Sequence, residues 1–216
     1  MDDIKKRITQ LREDFMQGSL SEKEVSDAPS QQFELWLNQA MTADLPEWQA
    51  MTLGTVSPDL RPSARIVYLR QFQNDQYWFY GNYNSRKARH LKQNPNACLS
   101  FFWPQLERQI RLEGSVELCH DDTSDAYFDG RPFESKLGAW ASDQSAVLKN
   151  REELEAQLEV YRKKFEDGNI YRPPYWGGWV FTAKYYEFWQ GRKSRLHDRI
   201  TYEFKNGEWT INRIAP

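Results

Sequence analysis

Apolar positions along the chain change their period several times, and each change marks an element. Ile4, Ile8, Leu11 and Phe15 recur at helical spacing among charged residues, which predicts an amphipathic helix over residues 1–18 that stops at Gly18. Leu20 to Ser30 is polar and reads as a linker, and Phe33, Leu35, Trp36, Leu37 and Ala40 predict a second helix. The period then falls to two. Met51–Val56 and Ala64–Phe72 flank the turn-like SPDLRP and predict a hairpin, and Gln76–Tyr80 and Ala97–Trp103 predict further strands. From Leu106 to Leu118, Ile110, Leu112, Val116 and Leu118 face one way, while Gln109, Arg111, Glu113 and Glu117 face the other, as in a half-buried antiparallel strand. A short helix is predicted at Asp122–Gly130. A longer one follows at Asn150–Phe165, with Asn150 and Glu153 as a capping box and Leu154, Leu158, Tyr161 and Phe165 as its stripe. Trp179–Trp189, Ile200–Phe204 and Trp209–Ile214 are strand-like, the last two joined by the hairpin signal Asn206-Gly207. Many antiparallel strands with few helices predict a mainly β, α+β fold: a barrel with helical decoration.

Composition narrows the function. The 216 residues can bury a sizeable core, as one large domain or two small ones. A net charge of −2 argues against a nucleic-acid binder. No apolar run approaches a membrane span, and the residues after Met1 lack a secretory pattern. Cys98 and Cys119 form neither a disulfide framework nor a zinc pattern, so they are expected as reduced thiols in a cytoplasmic protein. His120-Asp121-Asp122 reads as a turn and helix start, and no metal is expected. Aromatic residues make up 15% of the chain, a load suited to interfaces or flat ligands.

Four clusters could carry chemistry. In NSRKARHL, Asn84 or Ser85 is a natural N-cap, which puts Arg86 and Lys87 in the first helical turn. Cations there oppose the helix dipole, whereas a phosphate at that terminus would gain from both cations and the free N–H groups. RIVYLR has an apolar middle, as in a strand buried on both faces, and is bounded by Arg65 and Arg70, either salt-bridged or facing an anion. Tyr127 and Arg131 are spaced to share a helix face, and with Ser135 they could cradle a second anion. Gln144 and Ser145 could bond a heterocycle or phosphate. No Walker A pattern and no GxGxxG after a strand is present.

Together with FFWPQLERQI, YFDGRPFESKLGAWASDQS, WGG, EFWQG, RLHDR and the terminal RIAP, these stretches resemble the pyridoxamine 5′-phosphate oxidase family over nearly the whole chain. The resemblance implies an FMN-binding split β-barrel and a homodimer with flavin at the subunit interface. Residues 31–216 would form that domain, and residues 1–30 a helix and linker able to act as a lid. It implies FMN contacts from Arg65, Ile66, Val67, Tyr68, Leu69, Tyr80, Gly81, Arg86, Lys87, Gln109, Gln144, Ser145, Trp189 and Arg199. Substrate contacts would come from Arg70, Tyr127, Arg131, Ser135, Arg195, Leu196 and His197, with Arg195 and His197 as catalytic candidates on one side of an extended stretch. Family members oxidise phosphorylated B6 vitamers with oxygen.

Three positions depart from the family pattern. Arg70 stands where lysine is usual, Gly81 where a small hydroxyl residue is common, and Phe15 where tyrosine is often found. Two alternatives share the flavin half of the pattern. One is a split-barrel oxidase acting on another substrate, such as a phenazine precursor. The other is a non-enzymatic flavin- or haem-binding barrel.

Overall fold

The computed structural model describes residue 15 and residues 18–216, so most of the helix expected over residues 1–18, with Ile4, Ile8 and Leu11, lies outside the described residues. The elements in order are α1 (Pro29–Thr42), β1 (Ala50–Val56), β2 (Pro62–Tyr68), β3 (Gln71–Gln73), β4 (Gln76–Asn82), α2 (Arg86–Gln93), β5 (Asn96–Trp103) and β6 (Arg108–Leu118). They continue as α3 (Asp121–Asp129), α4 (Phe133–Ala141), α5 (Arg151–Lys164), β7 (Trp176–Gln190), β8 (Asp198–Lys205) and β9 (Glu208–Arg213). The strands hydrogen-bond in the order β2-β1-β5-β6-β7-β4-β3, with β8 on β7 and β9 on β8. The chain forms two compact units. Unit 1 is Met1–Trp48, Phe101–Arg111 and Tyr185–Pro216; unit 2 is Gln49–Ser100 and Leu112–Lys184.

In unit 1, α1 opens on Pro29, at a position whose missing N–H would have had no helical partner. It buries Phe33, Trp36, Leu37 and Ala40 of the expected apolar set, whereas Leu35 is exposed. Phe33 meets Phe101 edge-on at 5.3 Å, and Trp36 meets Phe188 in the same way at 5.3 Å. The end of β7 pairs with β8, which sets Tyr186 opposite Tyr202 and Phe188 opposite Ile200. The β8–β9 turn is the expected Asn206-Gly207 pair, with φ of 53° and 90°, both in the left-handed region such a turn requires.

In unit 2, β2 pairs with β1 along its length, and β1 pairs with β5. The strand expected from Ala64 to Phe72 is broken at Leu69 and Arg70. Leu69 N–H donates to Gln49 O beside β1, whereas Arg70 N–H donates to Trp78 O on β4. The chain changes neighbours there, passing from one end of the strand order to the other. RIVYLR was expected to be buried on both faces, but β2 has a neighbour on one edge, and Ile66 is 60% exposed while Val67 and Leu69 are buried. Leu118, expected on the inner face of β6, is likewise exposed at the strand end, whereas Ile110, Leu112 and Val116 are buried as expected.

A second core in unit 2 gathers Phe128, Leu137, Phe165, Ile170 and Trp176 from α3, α4, the end of α5 and the loop after it, and the start of β7. Each such side chain contributes roughly 1.5–3 kcal/mol through burial. The Gly177-Gly178 pair lets β7 lie against this region. A Cβ on Gly178 would stand 2.6 Å from the Tyr80 ring, and one on Gly177 would collide with the Tyr83 hydroxyl. Asn150 caps α5 by accepting from Glu153 N–H at 3.1 Å, and the Glu153 carboxylate reaches back to Lys149 N–H at 2.9 Å.

Candidate functional site

Unit 2 contains a cavity of about 1090 Å³ walled by β2, the end of β4, the start of α2, the α3–α4 turn, the loop after α4, and Trp176. It gathers most of the expected residues: Arg65, Ile66, Val67, Tyr68, Arg70, Tyr80, Gly81, Arg86, Lys87, Tyr127, Arg131, Ser135, Gln144 and Ser145. Leu69, just past the end of β2, is buried and does not line it.

One group of cations sits where β2 meets the N-terminus of α2. Ser85 is the N-cap, its hydroxyl accepting from Ala88 N–H at 3.4 Å. Lys87, in the first turn, is 8% exposed. Its ammonium donates to Ser85 Oγ at 3.0 Å and Gln144 Oε1 at 2.7 Å, and lies 5.5 Å from the Trp179 ring centre. Burial, and then the nearby Arg65, push Lys87 down to about 8. Gly81 leaves room for it: a Cβ there would approach Lys87 Nζ to 3.1 Å. Ser145 Oγ accepts from Arg86 N–H at 3.1 Å, so the loop after α4 satisfies one free helix amide. The Arg65 guanidinium donates to Leu53 O, Thr55 Oγ1 and Ser63 Oγ at 2.8–2.9 Å.

The other group sits at the α3–α4 turn. Tyr127 and Arg131 do not share a helix face as expected. Helix α3 ends at Asp129, and Arg131 N–H donates to Phe128 O in the turn beyond it. Both side chains nonetheless line the cavity. Arg131 stacks over Trp176 at 4.4 Å, and its Nη1 is buried without a hydrogen-bond partner among the described residues. Burial lowers the basicity of Arg131, and Arg70 adds to the effect. Tyr80 stacks on Tyr127 at 3.7 Å, and burial raises Tyr80 to about 12, so its hydroxyl keeps its proton. Lys87, Arg65 and Arg131 have no carboxylate partner among the described residues. A cavity that holds unneutralised cations and an orphaned guanidinium N–H fits a ligand with phosphate groups. Trp176 was quoted in the WGG motif without a role, and its place against Arg131 is evident only from the fold.

The remaining expected residues, Gln109, Trp189, Arg195, Leu196, His197 and Arg199, belong to unit 1. Gln109 and Trp189 are half-buried on β6 and β7. The Arg195–His197 stretch is not extended as expected. Lys193–Arg195 is a 3₁₀ turn in which Ser194 and Arg195 have φ of 56° and 60°, a left-handed pair that non-glycine residues rarely adopt. Arg195 and Leu196 point to solvent. The His197 ring packs on Trp189 at 4.6 Å and Phe15 at 5.3 Å, and its Nδ1 accepts from Arg192 N–H at 3.1 Å. Burial, and then Arg195, hold His197 below its usual value, and the Arg192 N–H donated to Nδ1 leaves the ring proton on Nε2. Asp198 pairs with Arg213 at 2.7 Å and Arg192 at 3.6 Å rather than with His197. Arg199 donates to the buried Glu187 at 2.8 Å and to Ala215 O at 2.8 Å, and Arg111 meets the same carboxylate at 2.9 Å.

Residues 37–165 match the family model described as pyridoxamine 5′-phosphate oxidase, and residues 176–216 match the pyridoxine 5′-phosphate oxidase C-terminal dimerisation region. The pyridoxine/pyridoxamine 5′-phosphate oxidase of Acaryochloris marina is 48% identical over 216 residues, covering 100% of this chain and 99% of its own. Among solved structures, PhzG of Burkholderia lata, in complex with tetrahydrophenazine-1-carboxylic acid, superposes with a TM-score of 0.84. It is 27% identical and covers 90% of this chain and 95% of its own. A pyridoxamine 5′-phosphate oxidase-related, FMN-binding protein of Nostoc punctiforme shares the fold at a TM-score of 0.65 and 19% identity, covering 92% of this chain and 100% of its own. The fold is therefore the split barrel expected from the sequence, and with two family models and full-length identity in agreement, the chain belongs to the pyridoxamine 5′-phosphate oxidase family.

Proposed function

We propose that this chain converts pyridoxamine 5′-phosphate and pyridoxine 5′-phosphate to pyridoxal 5′-phosphate, with FMN as cofactor, and that the cavity of unit 2 binds both phosphate groups. The observation that carries this reading is the pair of carboxylate-free cation groups in one cavity, one of them with a buried N–H lacking a partner. Arg65, Arg86 and Lys87, with Gln144 and Ser145, hold the flavin phosphate. A dianion there reverses the unfavourable sign of two cations at a helix N-terminus. Tyr127, Arg131 and Ser135, with Arg70, hold the substrate phosphate; Arg131 gives it the N–H that has no partner among the described residues. Arginine at position 70 keeps the charge and replaces a point donor with a fork. FMN held there would supply the redox chemistry, taking a hydride equivalent from the substrate carbon and passing the electrons to oxygen as hydrogen peroxide. The protein fixes positions and excludes water. Arg195 and neutral His197 bind and orient the substrate. The active form is a homodimer, a reading supported by the match of residues 176–216 to a dimerisation region. The free thiols of Cys98 and Cys119 fit a cytoplasmic setting.

The similarity to PhzG favours one second reading, oxidation of a phenazine precursor. A substrate without phosphate has no use for the Arg131 group, which supports the B6 vitamers. Purified protein is expected to be yellow and to release peroxide with pyridoxamine 5′-phosphate. Colourless protein that takes up no added FMN would overturn the reading. Turnover of a dihydrophenazine acid without turnover of the vitamer would favour the second one.

A further inference from the structure

Arg65 is held by a chain of neutral groups that runs back into the protein and ends on a buried histidine. Its Nη1 donates to Leu53 O at 2.9 Å and Thr55 Oγ1 at 2.8 Å, and its Nη2 donates to Ser63 Oγ at 2.8 Å. Three of the five guanidinium hydrogens are thus taken, leaving the Nε hydrogen and one on Nη2 for an anion. Thr55 is 2% exposed and has one hydroxyl proton to give. Its nearest acceptor is His90 Nδ1 at 3.1 Å; the alternative, Ser63 O, is at the 3.5 Å limit. The proton therefore goes to Nδ1, which makes His90 the neutral Nε2–H tautomer. Burial and the cations Arg86, Arg65 and Arg89 lower the basicity of His90, and Asp59 opposes them weakly. His90 also lies on α2, the helix that carries Arg86 and Lys87, while Thr55 lies on β1 and Arg65 on β2. The chain of bonds therefore ties α2 and β2, the two elements that deliver the cations, together through β1.

We propose that Thr55 and His90 are positioning residues for the flavin phosphate: the imidazole takes the threonine proton, which aims the hydroxyl lone pairs at Arg65 and holds its free N–H groups toward the cavity. This rests on the assignment of Arg65 to the FMN phosphate made above. A neutral imidazole does this without placing a further cation beside Arg65, as a lysine or protonated histidine would.

The test is FMN affinity of flavin-stripped protein, read by quenching of flavin fluorescence, with the fold of each variant checked by circular dichroism. Thr55→Val is expected to weaken FMN about tenfold, and Thr55→Ser to stay within about twofold of wild type. His90→Leu should weaken binding about fivefold, and His90→Gln, whose amide oxygen can accept the same proton, should recover most of that. In an Arg65→Ala background, Thr55→Val should cost nothing further, because its effect passes through Arg65. Wild-type affinity in Thr55→Val alongside a clear loss in Arg65→Ala would overturn the proposal, as would a Thr55→Val loss that persists undiminished in the Arg65→Ala background. Unchanged affinity in Arg65→Ala itself would instead remove Arg65 from the phosphate site, and the proposal with it. Should Thr55→Val fail to fold, the His90→Leu and His90→Gln pair decides: equal losses in both would overturn it.

Discussion

The cations of unit 1 and those of the unit 2 cavity are held in opposite ways. In unit 1, Arg199 and Arg111 share the buried Glu187, and Arg213 is clamped by Glu22 and Asp198. In the cavity, Arg65 and Lys87 bond neutral oxygens, and Arg131 leans on Trp176 with one N–H unused. A carboxylate partner offsets part of the cost of desolvating a cation, and removing it leaves the charge uncompensated. Unpaired buried cations hold that cost until an anion arrives. The first arrangement is structural, and the second suits the anionic ligands proposed above.

If the contrast holds, removing a charge should have opposite effects in the two places. Glu187→Ala leaves Arg111 and Arg199 facing a void and should lower stability by about 3 kcal/mol, toward the low end for a broken buried pair because Arg111 stays partly in water. Thermal melts of flavin-stripped protein check this, and an unchanged melt would break the comparison on its structural side. Lys87→Met should do the reverse: equal or higher stability without flavin, and FMN affinity weaker by roughly 1.5–3 kcal/mol. Flavin titration beside the same melts separates the two.

The lowered basicity of Lys87 sharpens this further. Below pH 8 the buried lysine is charged in the native protein, at a cost to stability. As pH rises from about 8 toward the ordinary lysine value, the unfolded chain still binds a proton that the native chain has lost, so this destabilisation is relieved. FMN affinity runs the other way. Phosphate needs the ammonium, so affinity should fall by up to about tenfold per pH unit above 8, and the slope should vanish in Lys87→Arg, where the charge does not titrate. Smaller still is the effect expected of Arg195→Leu. Arg195 is exposed and pairs with no carboxylate among the described residues. Its loss should lower kcat/KM for pyridoxamine 5′-phosphate by about tenfold, with flavin content and melting unchanged. Near-normal kinetics would make its left-handed turn a structural feature alone.

How much of this could be read from the sequence depended on how local the cause was. The Asn206-Gly207 turn, the Asn150 cap and the inner face of β6 at Ile110, Leu112 and Val116 follow from neighbours a few residues apart, and they were legible. The burial of β2 was not. Whether Ile66 is covered depends on what lies beside the strand, and β2 has one sheet neighbour. Helix α4 has Pro132 at its entrance and Gly138 inside it, and its buried residues Leu137, Ala139 and Ala141 do not follow one helical stripe. In the site, the cation-rich motifs announced an anion. Which arginines were free and which were paired was not legible, because Glu187, Thr55 and His90 meet partners on other elements rather than along the chain. The turn at Ser194 and Arg195 likewise defeated a simple period-two reading of RLHDR.

The central claim is that the Arg131 group exists to bind a phosphate. The most direct measurement is kcat/KM for pyridoxamine 5′-phosphate and for unphosphorylated pyridoxamine, in wild type and in Arg131→Met, with flavin content confirmed in each. The account predicts a strong wild-type preference for the phosphorylated amine that shrinks by about 10- to 150-fold in Arg131→Met, the size of one charge-assisted phosphate contact, while FMN stays bound. A preference left unchanged by the substitution would contradict it.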